Sequence, residues 1–200
     1  LRIDICSGGG SRNELETLRR AVPLWRSDYA YETTGMQTLT YGMSLWIPYF
    51  GTGMNTSDSY NCRSQMAPAN TLIWDVRNPE LDYAACRKRL AERRQVIPCY
   101  EGDFYPLTTH RTENDVWMAW QFDRPESGTG VVQAFRRPNS SVTSMQLRLR
   151  GLEPRARYRI QDFDRPESSE MTGAALAGEG LLITLKQRRS AALITYQRIE

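Results

Sequence analysis

The residue in this sequence best placed to do chemistry is an aspartate with aromatic neighbours. Asp28 follows Trp25-Arg26-Ser27 and precedes Tyr29 and Tyr31. A carboxyl group among such rings is expected to be partly desolvated, which raises its pKa and suits it to donate a proton near neutrality. Arg26 lies two residues earlier, on the same face of an extended strand, where its guanidinium could hold the carboxylate or a sugar hydroxyl. An Arg–Asp pair that only closes the strand end is the plainer alternative. Glu32 is a second acid with no evident task.

Upstream stands Cys6-Ser7-Gly8-Gly9-Gly10. Three glycines in a row carry a high entropy cost on folding, so a tight turn or a close contact must offset it. The run falls where an alternating apolar stretch (Leu1, Ile3, Ile5) gives way to a helical pattern. That strand-to-helix edge is where α/β folds bind ligands, and bare backbone N–H groups there can meet a phosphate or a sugar hydroxyl. Neither G-x-x-x-x-G-K-[ST] nor G-x-G-x-x-G is present, which weakens a phosphate-binding reading and leaves a ligand-free turn as its rival. His110 is the single histidine. It sits in the polar run Thr108-Thr-His-Arg-Thr112, so a catalytic triad or a histidine metal site is hard to build.

The elements that must position these groups divide the chain in two. Leu1–Ile5 reads as a strand. Residues 13–22 follow as a helix, with Leu15, Leu18 and Val22 on one face and Glu14 and Glu16 in its first turn. Pro23 ends that helix. Leu24–Tyr31 and Ser44–Phe50 read as two further strands, and the latter leads into a loop at Gly51-Thr-Gly53. Residues 54–70 read as a long polar loop. Asn78-Pro79 starts a helix whose buried stripe is Tyr83, Cys86, Leu90 and Ile97. This alternation predicts parallel strands joined by crossovers.

Beyond Pro98 the texture changes. Val116–Phe122, Gly130–Arg136, Ser144–Arg150, Arg157–Phe163, Leu181–Leu185 and Ala191–Gln197 read as closely spaced strands, the rhythm of an antiparallel sandwich. The pentapeptide Asp-Arg-Pro-Glu-Ser occurs at 123–127 and again at 164–168, and both copies read as turns. Trp117, Trp120 and Phe122 read as core or domain interface. Met36, Met43, Met54 and Met66 read as packing residues, and Asp103 and Asp115 as turn residues. The fold class expected is thus α/β followed by all-β, with residues 1–97 forming one domain and 98–200 the second.

Bulk properties narrow the partners. The chain has 200 residues, 40% of them hydrophobic and 24% charged, with a formal charge of +3. Its arginines are interspersed with acids, which argues against nucleic acid, and no apolar run approaches membrane-spanning length. Four cysteines without a C-x-x-C pair argue against structural zinc and leave disulfides unassigned. A start inside a strand, without methionine, points to the C-terminal portion of a longer protein.

Cys6-x-x-Gly9-Gly10, then Leu15, Leu18-Arg19-Arg20 and Trp25-x-Ser27-Asp28, resemble the C-terminal half of the catalytic barrel of glycoside hydrolase family 36, the melibiase-like α-galactosidases. Tyr41-Gly42-x-Ser44 and Pro48 continue the pattern. The later runs DVWMAWQFDRPE and RLRGLEPRARYRI resemble the β-sandwich that follows that barrel. The resemblance implies a (β/α)₈ TIM barrel whose last three strands and closing helices lie in 1–97, with a C-terminal antiparallel β-sandwich in 98–200. It implies retaining hydrolysis of terminal α-D-galactosides through a covalent step, with no cofactor and no metal. The partners implied are an α-galactoside oligosaccharide and a second copy in a homo-oligomer, with no nucleic acid and no membrane.

Asp28 falls on the family's acid/base position, and Cys6 and Gly9 fall where the family lines its pocket. Trp25 would be an apolar wall and Arg26 a sugar contact. The family's nucleophile is an aspartate on an earlier strand, upstream of residue 1. Ser27-Asp28-Tyr29-Ala30-Tyr31 replaces the common S-D-x-T-D run, and Tyr49-Phe-Gly-Thr-Gly53 replaces a histidine-containing loop. Both changes open the way to other α-glycosides, α-N-acetylgalactosaminides among them. A non-catalytic carbohydrate-binding or interaction protein on a hydrolase-derived scaffold is the competing reading.

Overall fold

Short parallel strands and the helices that connect them make up the first part of the chain, and antiparallel sheets make up the second. The computed structural model describes residues 3–6, 8, 11–28 and 32–199. They fall into two units, Leu1–Arg93 and Arg94–Glu200.

In the first unit β1 (Asp4–Cys6) pairs in parallel with β2 (Val22–Trp25), and β3 (Gly51–Met54) pairs in parallel with β4 (Ala69–Leu72). The backbone N–H of Arg26 donates to the Gly51 carbonyl at 3.0 Å, which ties the end of β2 to the start of β3. Three parallel strands were expected here. Those at Leu1–Ile5 and Leu24–Tyr31 overlap β1 and β2, while the third does not form where expected and β3 and β4 stand beyond it. Ser44–Phe50 is not a strand: it is the end of a helix, α2 (Thr33–Ser44), and the turn after it. The expected loop Gly51-Thr-Gly53 is the buried strand β3 itself. A Cβ on Gly51 would stand 2.2 Å from the Leu24 carbonyl oxygen, so only glycine allows β2 and β3 this close.

The first helix is shorter than its apolar spacing predicts. α1 covers Leu15–Leu18, capped by the Glu14 carboxylate, and Val22 begins β2. The Glu16–Arg19 and Glu16–Arg20 ion pairs hold its exposed face. Residues 54–70 hold α3 (Ser59–Gln65), capped by Asp58, where a loop was expected. The next helix, α4, is Tyr83–Val96. Asn78 instead caps a preceding turn, accepting from Glu80 N at 3.0 Å. Asp82 does the capping at the helix start, accepting from Ala85 N at 2.9 Å.

The α4 stripe also differs from expectation. Cys86 and Val96 are buried, but so are Arg89 and Glu92, while Tyr83 is exposed. Glu92 accepts from Arg89 at 2.9 Å and from Arg63 of α3 at 3.3 Å, so a buried ion triad fastens α3 to α4. The apolar period fails because charged residues occupy inward positions and satisfy one another.

In the second unit, a 3₁₀ turn (Ile97–Glu101) leads to β5 (Asp103–Pro106), so Asp103 lies in a strand. There follow β6 (Trp117–Arg124), β7 (Thr129–Arg136), β8 (Ser144–Leu147), β9 (Arg157–Asp162) and β10 (Ser168–Thr172). A short helix, α5 (Gly173–Gly178), precedes β11 (Leu181–Thr184) and β12 (Ser190–Arg198). Six strands form one antiparallel sheet in the order β10-β9-β12-β7-β6-β5, and β11 and β8 form a second. The six strands predicted for this half all form, while β5, β10 and α5 are additions.

One core joins the two sheets. Trp117, Val132, Ile160 and Ile194 of the large sheet pack with Leu147, Leu181 and Ile183 of the small one. Burying each such side chain contributes ~1.5–3 kcal/mol. At β6 and β7 the opposite face of the large sheet is buried too, which explains why β6 reads as a continuous apolar run rather than an alternating one. There Tyr100 meets Phe122 edge-on at 4.8 Å. Tyr100 Oη and Trp120 Nε1 both donate to Gln133 Oε1, at 3.0 and 2.9 Å.

Candidate functional site

The C-terminal ends of β1 and β2 bring the candidate residues together. Their parallel pairing sets Cys6 opposite Trp25, so the cysteine, the tryptophan and the residues just after it share one sheet edge. Cys6 is exposed there, with a free thiol. Gly9, the other pocket residue expected on this edge, lies outside the described residues, as do Tyr29 and Tyr31. The glycine turn is tethered where it is described. Ser11 Oγ donates to the Gly8 carbonyl at 2.9 Å, and Gly8 has a left-handed φ of +53°. Asn13 Nδ2 then reaches the Arg26 carbonyl at 2.8 Å, binding the segment after β1 to the end of β2.

Asp28 is exposed, so the desolvation expected from its aromatic neighbours is not found among the described residues. Among the described residues, what holds it is a directed contact from Trp25 Nε1 to Asp28 Oδ1 at 2.9 Å. A tryptophan N–H can only donate, so this bond favours an acceptor carboxylate oxygen. Trp25 is itself fixed from beneath. A Cβ on Gly53 would stand 2.8 Å from the indole ring and 2.8 Å from Ile73 Cδ1. Gly53 on β3 therefore sets where the ring lies and, through it, where the carboxylate is held. Sequence reasoning missed Gly53 because it took β3 for a loop. The usable signal was a pair of glycines spaced by two, which in a strand point to the same face.

Arg26 does not do what was expected of it. Its side chain is fully buried and bonds to residues of α2. Nη1 donates to Thr40 Oγ1 at 2.8 Å and Nη2 to the Met36 carbonyl at 3.0 Å. The guanidinium carbon lies 5.1 Å above the Phe50 ring. Burial without a carboxylate partner depresses its pKa to about 9. Arg26 is therefore a fastener between β2 and α2, unavailable to a sugar hydroxyl. Period-2 reasoning gave its face correctly relative to Asp28 only if the strand continued, but β2 ends at Trp25.

Glu32 also finds its role. Its carboxylate caps α2, accepting from Thr34 N at 2.8 Å and Gly35 N at 2.5 Å. The helix dipole favours an acid there, which removes Glu32 from the list of candidate catalytic groups. His110 is exposed, and among the described residues no group of three or more His, Cys, Asp or Glu side chains is placed to hold a metal ion.

Comparisons with known proteins bear on this arrangement. Residues 115–195 match the Glycosyl hydrolase family 36 C-terminal domain. The bifunctional alpha-galactosidase/sucrose kinase AgaSK of Mediterraneibacter gnavus is 25% identical over 197 residues, covering 90% of this chain and 20% of that protein. Among solved structures, the family 36 alpha-galactosidase AgaB of Geobacillus stearothermophilus superposes with a TM-score of 0.75 at 20% identity, over 96% of this chain and 28% of its own. AgaA of the same organism, solved with stachyose, gives 0.77 at 18% identity over the same shares. The chain thus spans about a fifth of the curated relative's length. The expected resemblance to the C-terminal part of a family 36 α-galactosidase is borne out, and the antiparallel second unit corresponds to the C-terminal β domain of that family.

Proposed function

We propose that this relative of the family 36 α-galactosidases is the C-terminal part of a retaining α-galactoside hydrolase, with Asp28 as its acid/base. In this reading the parallel strands of residues 1–97 are the last strands of a (β/α)₈ barrel and residues 98–200 form its C-terminal sandwich. The observation that carries the proposal is the position of Asp28. It lies three residues past the C-terminal end of a parallel strand, the edge where barrel enzymes keep their catalytic groups, with a hydrogen bond from Trp25 Nε1 aiming it.

Retaining hydrolysis needs two carboxyl groups ~5 Å apart. Asp28 would first give its proton to the glycosidic oxygen as the second carboxylate attacks the anomeric carbon. It would then take a proton from the water that releases the sugar. The Trp25 N–H helps at the ionised stage, because it can stabilise the carboxylate left after the first transfer. The second carboxylate would come from an earlier barrel strand. Residues 1–200 therefore supply half of the pair, and turnover requires the complete barrel.

Cys6, on the neighbouring strand end, would line the galactose pocket, with the Gly9 backbone beside it and Trp25 as an apolar wall. Relatives solved with raffinose and stachyose make terminal α-galactosides of that kind the substrates to try first. The test is hydrolysis by the full-length protein of p-nitrophenyl α-galactoside beside the α-N-acetylgalactosaminide, α-glucoside and β-galactoside. Selective release from the first is expected, and release from none of the four would overturn the proposal.

A further inference from the structure

At one end of the antiparallel unit, the β6–β7 turn, the loop after β8 and the end of β12 enclose a cavity of about 190 Å³. It is bordered by the Asp123 carboxyl group, in a residue only 2% exposed. Asp123 Oδ1 accepts from the Tyr196 hydroxyl at 2.5 Å, and that hydroxyl in turn accepts from Gln121 Nε2 at 2.7 Å. Asp123 Oδ2 takes no hydrogen bond from the described residues. That oxygen is not sealed off from solvent, so it is open to the cavity, where an entering hydroxyl can donate to it.

Two glycines keep the space open. Gly151 has a φ of +73°, and a Cβ there would stand 2.9 Å from Asp123 Oδ2 and 3.1 Å from the Tyr105 hydroxyl. Gly128 has a φ of +63°, and a Cβ there would press on Arg198 at 2.7 Å. The left-handed backbone alone calls for glycine at both sites. The volume they leave beside the carboxylate is an additional consequence.

Charge decides the class of occupant. Arg198 and Glu153 line the same small space as Asp123. An anion would meet two acids and a cation would meet a guanidinium. A neutral polyol meets neither objection, since each hydroxyl both donates and accepts. The buried Tyr158 ring and Leu152 add apolar surface for the C–H face of a ring. The volume is below the ~300–1,000 Å³ of sites for drug-sized ligands, so the occupant is small. We propose that this cavity is a non-catalytic binding site for one neutral sugar unit, with a sugar hydroxyl donating to Asp123 Oδ2 and Arg198 donating to another. The proposal rests on the hydrolase reading only in the choice of galactose as the first probe.

Hydrogen exchange of the full-length protein, read by mass spectrometry with galactose raised until protection saturates, tests it. Protection is expected in segments 123–130 and 150–158, and equal concentrations of methylammonium or sulfate should give none. Gly151→Ala should abolish that protection. The exposed Arg198→Ala, which does not depend on a strained backbone, should weaken it about tenfold. Neither should change hydrolysis of p-nitrophenyl α-galactoside. Galactose protection confined to segment 4–28 would overturn this site while leaving the hydrolase reading intact. Protection by methylammonium or sulfate in place of galactose would overturn it as well. Protection at the cavity together with absent hydrolysis would support the site and remove the hydrolase reading.

Discussion

Trp25 donates a 2.9 Å hydrogen bond from its indole nitrogen to Asp28 Oδ1, across the end of a parallel strand. Among the described residues, this bond is what gives the exposed carboxylate its direction. Trp25→Phe keeps the ring and removes the donor. In the full-length protein it should lower kcat on unactivated α-galactosides about tenfold with little change in KM, the expected cost of one hydrogen bond to a charged group. Steady-state kinetics on raffinose would check this, and an unchanged kcat would show that the indole only fills space.

Gly53 acts on the same carboxylate at one remove. Gly53→Ala would place a Cβ 2.8 Å from the indole ring, so the ring must shift. The expected result is a loss of activity at least as large as that of Trp25→Phe, with the double substitution Gly53→Ala/Trp25→Phe less than additive because both disturb one contact. A double-mutant cycle on kcat measures it. Full additivity would mean that Gly53 affects turnover by another route.

Arg26 separates stability from binding. Its contacts to Thr40, Met36 and Phe50 are all internal. Arg26→Ala leaves a cavity and unmet hydrogen-bond partners, and should destabilise the first unit by about 2–4 kcal/mol. The folded fraction should keep its KM for galactosides. Urea unfolding alongside KM distinguishes the two roles, and a raised KM at unchanged stability would return Arg26 to the sugar pocket.

Asp123 gives a pH dependence with a definite sign. Burial holds its carboxyl above the usual range, the Tyr196 hydrogen bond opposing that only in part. In the window between the unfolded pKa of ~3.9 and the higher folded value, the native state binds more protons than the unfolded one. Its contribution is therefore fully present below the unfolded pKa and is lost as pH rises through the folded one. Relative to Asp123→Asn, which cannot titrate, the natural protein should lose stability as pH rises above about 4. Thermal unfolding of both proteins from pH 3.5 to 7 checks it, and parallel curves would contradict it.

The antiparallel half was nearly all legible in the sequence because its strands are set by local apolar runs between turn residues. Even so, Asp-Arg-Pro-Glu-Ser means two things in two places. Asp123 lies within β6, one residue before its end, as a buried acceptor for Tyr196, whereas Asp164 lies exposed in the β9–β10 turn. Identical residues take different roles because the second strand partner, not the pentapeptide, decides burial. The parallel half was harder to read. α2 carries threonines and glycines that lower helix propensity, and its evidence is the Glu32 cap and tertiary burial. β3 is half glycine, a composition that reads as a turn unless the closeness of Leu24 and Trp25 is known. At the site, Asp28 was legible as a carboxylate among aromatic residues at a strand end, while the hydrogen bond from Trp25 and the inward turn of Arg26 were not. That turn depends on where β2 stops, which its sequence does not mark.

Asp28 carries the proposed hydrolysis. The most direct test is Asp28→Ala in the full-length protein, assayed on raffinose with and without azide. General acid–base assistance contributes ~10²–10⁴-fold, so raffinose hydrolysis should fall by that order with or without azide, which cannot protonate the leaving sugar. On p-nitrophenyl α-galactoside, whose leaving group departs without an acid, azide should take the place of water in the second step, raise turnover and give α-galactosyl azide. Undiminished hydrolysis of raffinose by Asp28→Ala would contradict the assignment.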